Sequence, residues 1–388
     1  MSPDPTESSP ESSPAAVYTD RLSRLAELAG VSGADAVLIS PGPDLAYFIG
    51  HSIGSHERLT CLVVPATGRP ALLVPTLERP GWTGSPVEAM DVGIGTWTDG
   101  QDPYAALAER LPADARVLAV DYHMPAVHAL NARAIVPGSE LTLAGETIAE
   151  LRMRKSEDEV AALAAAGAAI DRVQRRIGEW LRPGRTENEV AADIAAAIVA
   201  EGHARPDFVI VGSGPNGASP HHEASDRVIE PGDVVVVDIG GPMPSGYFSD
   251  CTRTYIAGGS TVPDRVREVY EVVRRAQAAG VAAVRPGVTA ESIDAASRTV
   301  IDQAGFGEYF ITRTGHGIGL EVHEHPYMVS GNTITLEEGM AFSVEPGIYL
   351  PGEFGVRIED IVVVGESAGR LMNTAPTELI VVGAGPVG

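Results

Sequence analysis

Residues 230–241 read EPGDVVVVDIGG, and residues 337–348 read EEGMAFSVEPGI. Both copies place a glycine in a turn (Gly232 and Gly339), then a short strand-like run, then a carboxylate: Asp238 in one, Glu345 in the other. The likeness extends outward. Upstream, RPGRTENEVAADIAAAIVAEG (182–202) matches RPGVTAESIDAASRTVIDQAG (285–305). Each has RPG, then a threonine able to N-cap (Thr186, Thr289), then a helix ended by glycine. Downstream, GYFSD (246–250) matches GVRIE (355–359), with Asp250 over Glu359. Four aligned features in one order predict a pseudo-twofold domain of two similar halves. A solenoid would need three or more copies.

Around position 150, LRMRKSEDEVAALAAAGAAIDRVQRRIGEWL starts a long helical pattern, with Ser156 and Glu159 spaced as a capping box. Before it, DRLSRLAELAGVSG reads as an amphipathic helix, and ADAVLIS, LTCLVVPA, PALLVPT and ARVLAVD as strands. The resulting expectation is an α/β (α+β) protein with a disordered tail at 1–16, an α/β domain at 17–148 and the pseudo-twofold domain at 149–388. The tail, MSPDPTESSPESSPAA, lacks the basic and apolar regions of a signal peptide.

Composition narrows the function classes. A net charge of −24 argues against binding a nucleic-acid backbone or an anionic membrane surface. No apolar run is long enough for a transmembrane helix. Two cysteines, Cys61 and Cys251, make no disulfide framework, which fits a reducing, cytoplasmic compartment.

The repeat puts Asp238, Asp250, Glu345 and Glu359 at equivalent places. Asp238 and Glu345 close apolar runs that read as buried strands, where an uncompensated carboxylate is costly. Four such groups near a twofold axis would repel, and two divalent cations would cancel their charge. Oxygen ligands with at most one imidazole suit Mn²⁺, Co²⁺ or Zn²⁺. The stretch TRTGHGIGLEVHEHP (312–326) offers His316, His323 and His325. Spacing alone does not say which of them holds metal.

Taken together, VVVVDIGG…SDCTRT, GHGIGLEVHEHP, FSVEPGIY and GVRIEDIVVV resemble the pita-bread metallopeptidases, which include methionine aminopeptidase, prolidase, aminopeptidase P and creatinase. The prolidase and aminopeptidase P branch is the most similar, and with the LRMRKSEDE junction the resemblance covers nearly the whole chain. It implies a creatinase/prolidase-like N-terminal domain and a pita-bread catalytic domain. It implies five ligands for two ions, Mn²⁺ first: Asp238, Asp250, His316, Glu345 and Glu359. Glu345 is implied to shuttle a proton, with His323 and His221 contacting substrate. His222 and His325 have no matched role. Arg357, by strand parity with Glu359, is expected to orient a ligand carboxylate.

The implied reaction is hydrolysis of the bond between an N-terminal residue and proline by a metal-bridging hydroxide, on a small peptide, in a homodimer. A creatinase-like amidinohydrolase or a non-enzymatic binding protein on the same fold is the alternative, but such relatives usually lack the ligand set. Two departures stand out. Asp238 and Asp250 lie one residue further apart than is usual, an excess that the turn PMPSG can absorb. Tyr327 stands where several small prolidases carry a carboxylate-binding arginine. That expected substrate contact therefore weakens strict dipeptide specificity, unless another arginine substitutes.

Overall fold

The computed structural model describes residues 14–54, 56–259 and 261–383. The chain divides into two compact units, Met1–Arg152 and Met153–Gly388. Unit 1 runs α1 (Pro14–Val31), β1 (Ala36–Ile39), α2 (Pro43–Ile49), β2 (Cys61–Pro65), β3 (Ala71–Pro75), β4 (Gly93–Trp97), α3 (Pro103–Ala108), β5 (Val117–Val120), α4 (Ala126–Ile135), β6 (Glu140–Leu143) and α5 (Gly145–Arg152). Its six-stranded sheet has the order β4-β3-β2-β1-β5-β6, antiparallel across β1–β2 and β2–β3 and parallel elsewhere. The four strands read from the apolar runs are β1, β2, β3 and β5. Such continuous apolar runs are what a sheet covered on both faces requires.

Two boundaries differ from expectation. The tail is expected at 1–16. Residues 1–13 lie outside the described residues, and Pro14–Ala16 already belong to α1. A proline suits a helix's first turn, where its missing N–H would have no partner anyway. The second correction is the domain boundary, which falls after Arg152 and not after 148. Helix α5 belongs to unit 1 because Ile148 and Leu151 are buried there, the Tyr47 hydroxyl donates to Leu151 O (3.0 Å), and Arg152 donates to Asp44 (2.6 Å).

Unit 2 runs α6 (Glu157–Arg175), α7 (Glu187–Ala200), β7 (Phe208–Ser213), β8 (Asp233–Pro242), β9 (Phe248–Ala257), α8 (Asp264–Ala283) and α9 (Ala290–Gln303). Shorter strands follow: β10 (Gly315–Gly317), β11 (Glu324–Met328), β12 (Ala341–Val344), β13 (Gly347–Leu350), β14 (Phe354–Arg357), β15 (Asp360–Val364), β16 (Gly369–Leu371) and β17 (Ile380–Val382). They form sheets of order β17-β9-β8-β7 and β11-β10-β12-β15-β16, with β13 and β14 as a separate hairpin.

The repeat is present in backbone detail. Gly184 N–H donates to Ile229 O and Gly287 N–H to Leu336 O, both at 2.8 Å. Isolated bridges join Thr186 to Val228 and Thr289 to Thr335. Gly232 and Gly339 both take positive φ, 92° and 83°, in the turn that feeds the acid-bearing strand. The helix caps differ between copies. Ser156 and Thr186 complete capping boxes with Glu159 and Glu189. Thr289 occupies the N-cap of α9 but makes no side-chain cap bond. The third helical residue there is Ser292, so the reciprocal glutamate is missing.

Candidate metal centre

Strands β8 and β9 pair in continuous register, Asp238 opposite Thr252 and Gly240 opposite Asp250. Side chains alternate across a strand, so Asp238, Asp250, Thr252 and Thr254 share one face. The other face carries Val235, Val237, Ile239, Cys251 and Tyr255, packed in one core with α6 and α7. The longer spacing between the two aspartates is therefore absorbed in the turn. One expectation is corrected here. Asp238 does not close its strand, because Ile239–Pro242 continue the pairing.

The second half presents its acids at strand ends. Glu345 follows β12, and its N–H donates to Thr314 O (2.8 Å). Glu359 lies between β14 and β15, and its N–H donates to Thr252 O (3.1 Å), stitching the two halves together. Between these acids the chain leaves as the β13–β14 hairpin; in the first half the paired ends of β8 and β9, residues 239–242 and 248–249, take the matching place between Asp238 and Asp250.

A cavity of about 570 Å³ is lined by Asp238, Asp250, His316, Glu345, Glu359, Arg357, His323 and His221. All the expected site residues except Tyr327 are brought together on this wall. Ligand atoms of Asp250, His316 and Glu359 lie within 4.8 Å of one another. His316 Nε2 is 3.1 Å from Glu345 Oε1 and 3.6 Å from Asp250 Oδ2. His316 Nδ1 lies 3.1 Å from Gly317 O. A carbonyl only accepts, so Nδ1 donates to it, and Nε2 faces the acids.

Three of the four carboxylates are anchored by one oxygen each. Arg357 Nη2 donates to Asp238 Oδ2 (2.6 Å), Thr252 Oγ1 to Glu359 Oε2 (2.7 Å), and Ser343 Oγ to Glu345 Oε1 (2.9 Å). Asp238 Oδ1 and Glu359 Oε1 are buried with no hydrogen-bond partner among the described residues. A buried carboxylate oxygen without a donor is costly. Two of them in one cavity with an imidazole nitrogen fit a divalent cation in chemistry and in charge.

Electrostatics agree. Burial, then the charges of Glu359, Asp238 and Glu345, push the Asp250 carboxyl well above its usual range. Burial, then Glu345 and Asp238, do the same to Glu359. Burial also raises Glu345, but the hydrogen bond and charge of His316, with Arg357 and Ser343, outweigh it and hold Glu345 at about 2. His323 is exposed to the cavity, edge-on to His316 with ring centroids 4.1 Å apart. Desolvation by the wall behind it, then the charges of His316 and Arg313, push it down to about 4. It is neutral near pH 7 and keeps one N–H to donate.

Arg357 is 3 % exposed and donates to the Tyr349 hydroxyl (2.7 Å) and Thr252 Oγ1 (3.2 Å) as well as to Asp238. It therefore orients Asp238 directly and Glu359 through Thr252. Tyr327 is the correction. It pairs with His316 across β10–β11, but its ring lies under the Arg313 guanidinium, 4.5 Å from CZ to centroid, and not on the cavity wall. His325 packs edge-on against the same ring at 4.9 Å.

Sequence reasoning missed four contributors. Thr252 could have been found by parity from Asp250. Ser343 and Tyr349 carry no signal beyond lying near Glu345. Glu187 is a wholly buried acid that accepts from Ser213, Asn216, His222 and Ser225, and so anchors the segment carrying His221.

The family model "Metallopeptidase family M24" matches residues 161–366, and "Creatinase/Prolidase N-terminal domain" matches residues 21–154. A probable dipeptidase PepE of Mycobacterium tuberculosis is 51% identical over 95% of this chain and 97% of its own length. An Xaa-Pro dipeptidase of Lactobacillus helveticus is 35% identical over 93% and 98%. Among solved structures, dipeptidase PepE from Mycobacterium ulcerans superimposes with a TM-score of 0.90 at 52% identity, over 95% of this chain and 99% of that one.

Proposed function

The chain belongs to metallopeptidase family M24, and from that premise we propose that it hydrolyses the bond between an N-terminal residue and a following proline. In this reading Asp238, Asp250, His316, Glu345 and Glu359 hold two divalent cations, Mn²⁺ before Co²⁺ or Zn²⁺. The observation that carries it is the pair of unpaired buried oxygens on Asp238 and Glu359, two residues that line one cavity with His316. The proline preference draws its support from relatives such as the Lactobacillus helveticus Xaa-Pro dipeptidase. When bound, such ions lower the pKa of a coordinated water and polarise a carbonyl.

The chain's own residues do the rest. Glu345, with Oε1 held by Ser343, moves a proton towards the leaving nitrogen. His323, neutral and facing the cavity, donates to the oxygen that gains charge in the transition state. His221 holds the substrate from the opposite half. Arg357 keeps Asp238 and Glu359 in place, so that neither must reorganise as charge develops.

The proposal extends to a homodimer working in the cytoplasm. Both cysteines are free and buried, which suits a reducing compartment. Among the described residues, no helix is long and apolar enough to cross a membrane. The test is metal analysis of the purified protein, followed by Xaa-Pro and Xaa-Ala peptides assayed with Mn²⁺, Co²⁺ and Zn²⁺. Two bound ions and selective Xaa-Pro cleavage are expected. No cleavage of any Xaa-Pro peptide with all three metals would reject the reading.

A further inference from the structure

Lys155 and Glu324 form a buried ion pair that the chemistry above leaves unexplained. Lys155 Nζ donates to Glu324 Oε1 (2.5 Å), and the two side chains are 1 % and 7 % exposed. Lysine is almost never buried this deeply, and a buried pair gains little stability over two apolar groups of the same volume. What such a pair does supply is one geometry, because parting the two leaves an uncompensated charge in the interior.

The geometry fixed here is that of His323. Glu324 is the next residue and opens β11. The β10–β11 ladder is irregular at that point. His316 pairs with Tyr327, but Gly317 pairs with Glu324, so His325 and Pro326 are left without partners on β10. A bulge of this kind re-aims the side chains around it and interrupts the ladder that would hold them. The Glu324 carboxylate supplies another hold. It lies against Gly319, where an added Cβ would sit 2.6 Å from Oε1 and 3.0 Å from Oε2, so the loop that carries His323 closes onto it. The lysine end is constrained as well. Lys155 N–H donates to Gly339 O (2.9 Å), and a Cβ on Gly339 would lie 2.6 Å from Lys155 O. Gly339 is in the turn that feeds β12, and β12 leads into Glu345.

We infer that Lys155 is a positioning residue for His323: through Glu324 it ties the loop bearing the oxyanion donor to the strand bearing the proton-moving carboxylate. The inference rests on the peptidase reading above. Lys155 is not among the residues lining the cavity. Its loss therefore acts through the place of His323, in the transition state more than in substrate binding.

The test is a double-mutant cycle with His323, on the Mn²⁺-loaded enzyme and Ala-Pro. Lys155→Met should lower kcat by roughly 10–100-fold with KM little changed and both ions retained, as for a donor displaced by about an ångström. In a His323→Ala background the same substitution should cost less than about twofold, because the group it positions is gone. A second variant, Lys155→Met with Glu324→Gln, removes both charges at similar volume. It should unfold in urea close to the wild type and still show the low kcat. If Lys155→Met does not fold, this second variant takes its place in the cycle. An equal loss of kcat with and without His323 overturns the inference and marks a merely structural role. Wild-type kcat in the second variant overturns it too. A wild type that cleaves no Xaa-Pro peptide overturns instead the peptidase reading on which the inference rests.

Discussion

Glu187 offers a quantitative test of how the substrate-side segment is held. It is the first residue of α7 and accepts from Ser213 N (2.8 Å) and Oγ (2.6 Å), His222 Nε2 (2.8 Å), Ser225 N (3.1 Å) and Oγ (2.6 Å), and Asn216. Burial alone would raise its pKa. The hydroxyls of Ser213 and Ser225, with His222 and the Ser213 N–H, outweigh burial and hold it at about 2, against a reference of 4.5. The folded value is depressed, so the contribution to stability is fully present above pH 4.5. It is lost as pH falls towards 2. The difference corresponds to about 3 kcal/mol. Glu187→Gln keeps the shape but turns an NH₂ towards donors, so at pH 7 the catalytic unit should lose a stability of that order. Urea unfolding of both proteins at fixed metal concentration, at pH 7, 5 and 3.5, measures it. The gap should be constant from 7 to 5 and narrower at 3.5. Equal stabilities at pH 7, or a gap that does not narrow in acid, would refute the reasoning.

Asp250→Ala or Glu359→Ala should abolish hydrolysis and reduce metal content, read by elemental analysis; near-full activity with two ions retained would reject the ligand assignment. His323→Ala should keep the metal yet lose about 10²–10³-fold in kcat, whereas His325→Ala, at a residue packed edge-on against Tyr327, should change little. If His325→Ala strips metal while His323→Ala is silent, the reading of 312–326 is inverted. Arg357→Met should weaken metal affinity about 10–100-fold, seen as a right-shifted metal titration of activity. An unshifted titration would show that Asp238 and Glu359 do not depend on it.

The parts legible in the sequence are those that repetition and periodicity encode. Aligned turns and helices exposed the two halves, and with them four acids that the fold brings to one cavity. Strand parity placed Asp250 beside Asp238 despite the longer turn. What stayed hidden depends on contacts without periodicity. The extension of β8 past Asp238 runs through Gly240 and Gly241, weak strand formers that nevertheless lie in the ladder. In the α9 cap, Thr289 was judged by its own residue type, while the box depends on its partner at Ser292. The displacement of Tyr327 from the wall required knowing where Arg313 points, and stacking of a loop side chain on a strand residue leaves no spacing signature. Nothing in the sequence marks Glu187 beyond its place at the start of α7, because its partners come from the distant 213–225 segment.

The hairpin formed by β13 and β14 has a wider consequence. The metal cradle is close to symmetric, two acids from each half, but almost everything else facing the cavity is not. Tyr349 and Arg357 come from the hairpin, His316 from β10, and Arg313 and His323 from the loops on either side of it, whereas the first half adds Phe208, Ile210, Pro220 and His221 to its acids. Duplication can account for a place to put ions. What differs is the set of side chains laid on that shared plan: Arg357 stands where the first copy has Phe248. The two copies should therefore tolerate change unequally. Randomising 311–313 and 347–356 is a route to new peptide preferences with the ions retained. The same effort spent on 234–242 and 248–257 would mostly destroy the vessel.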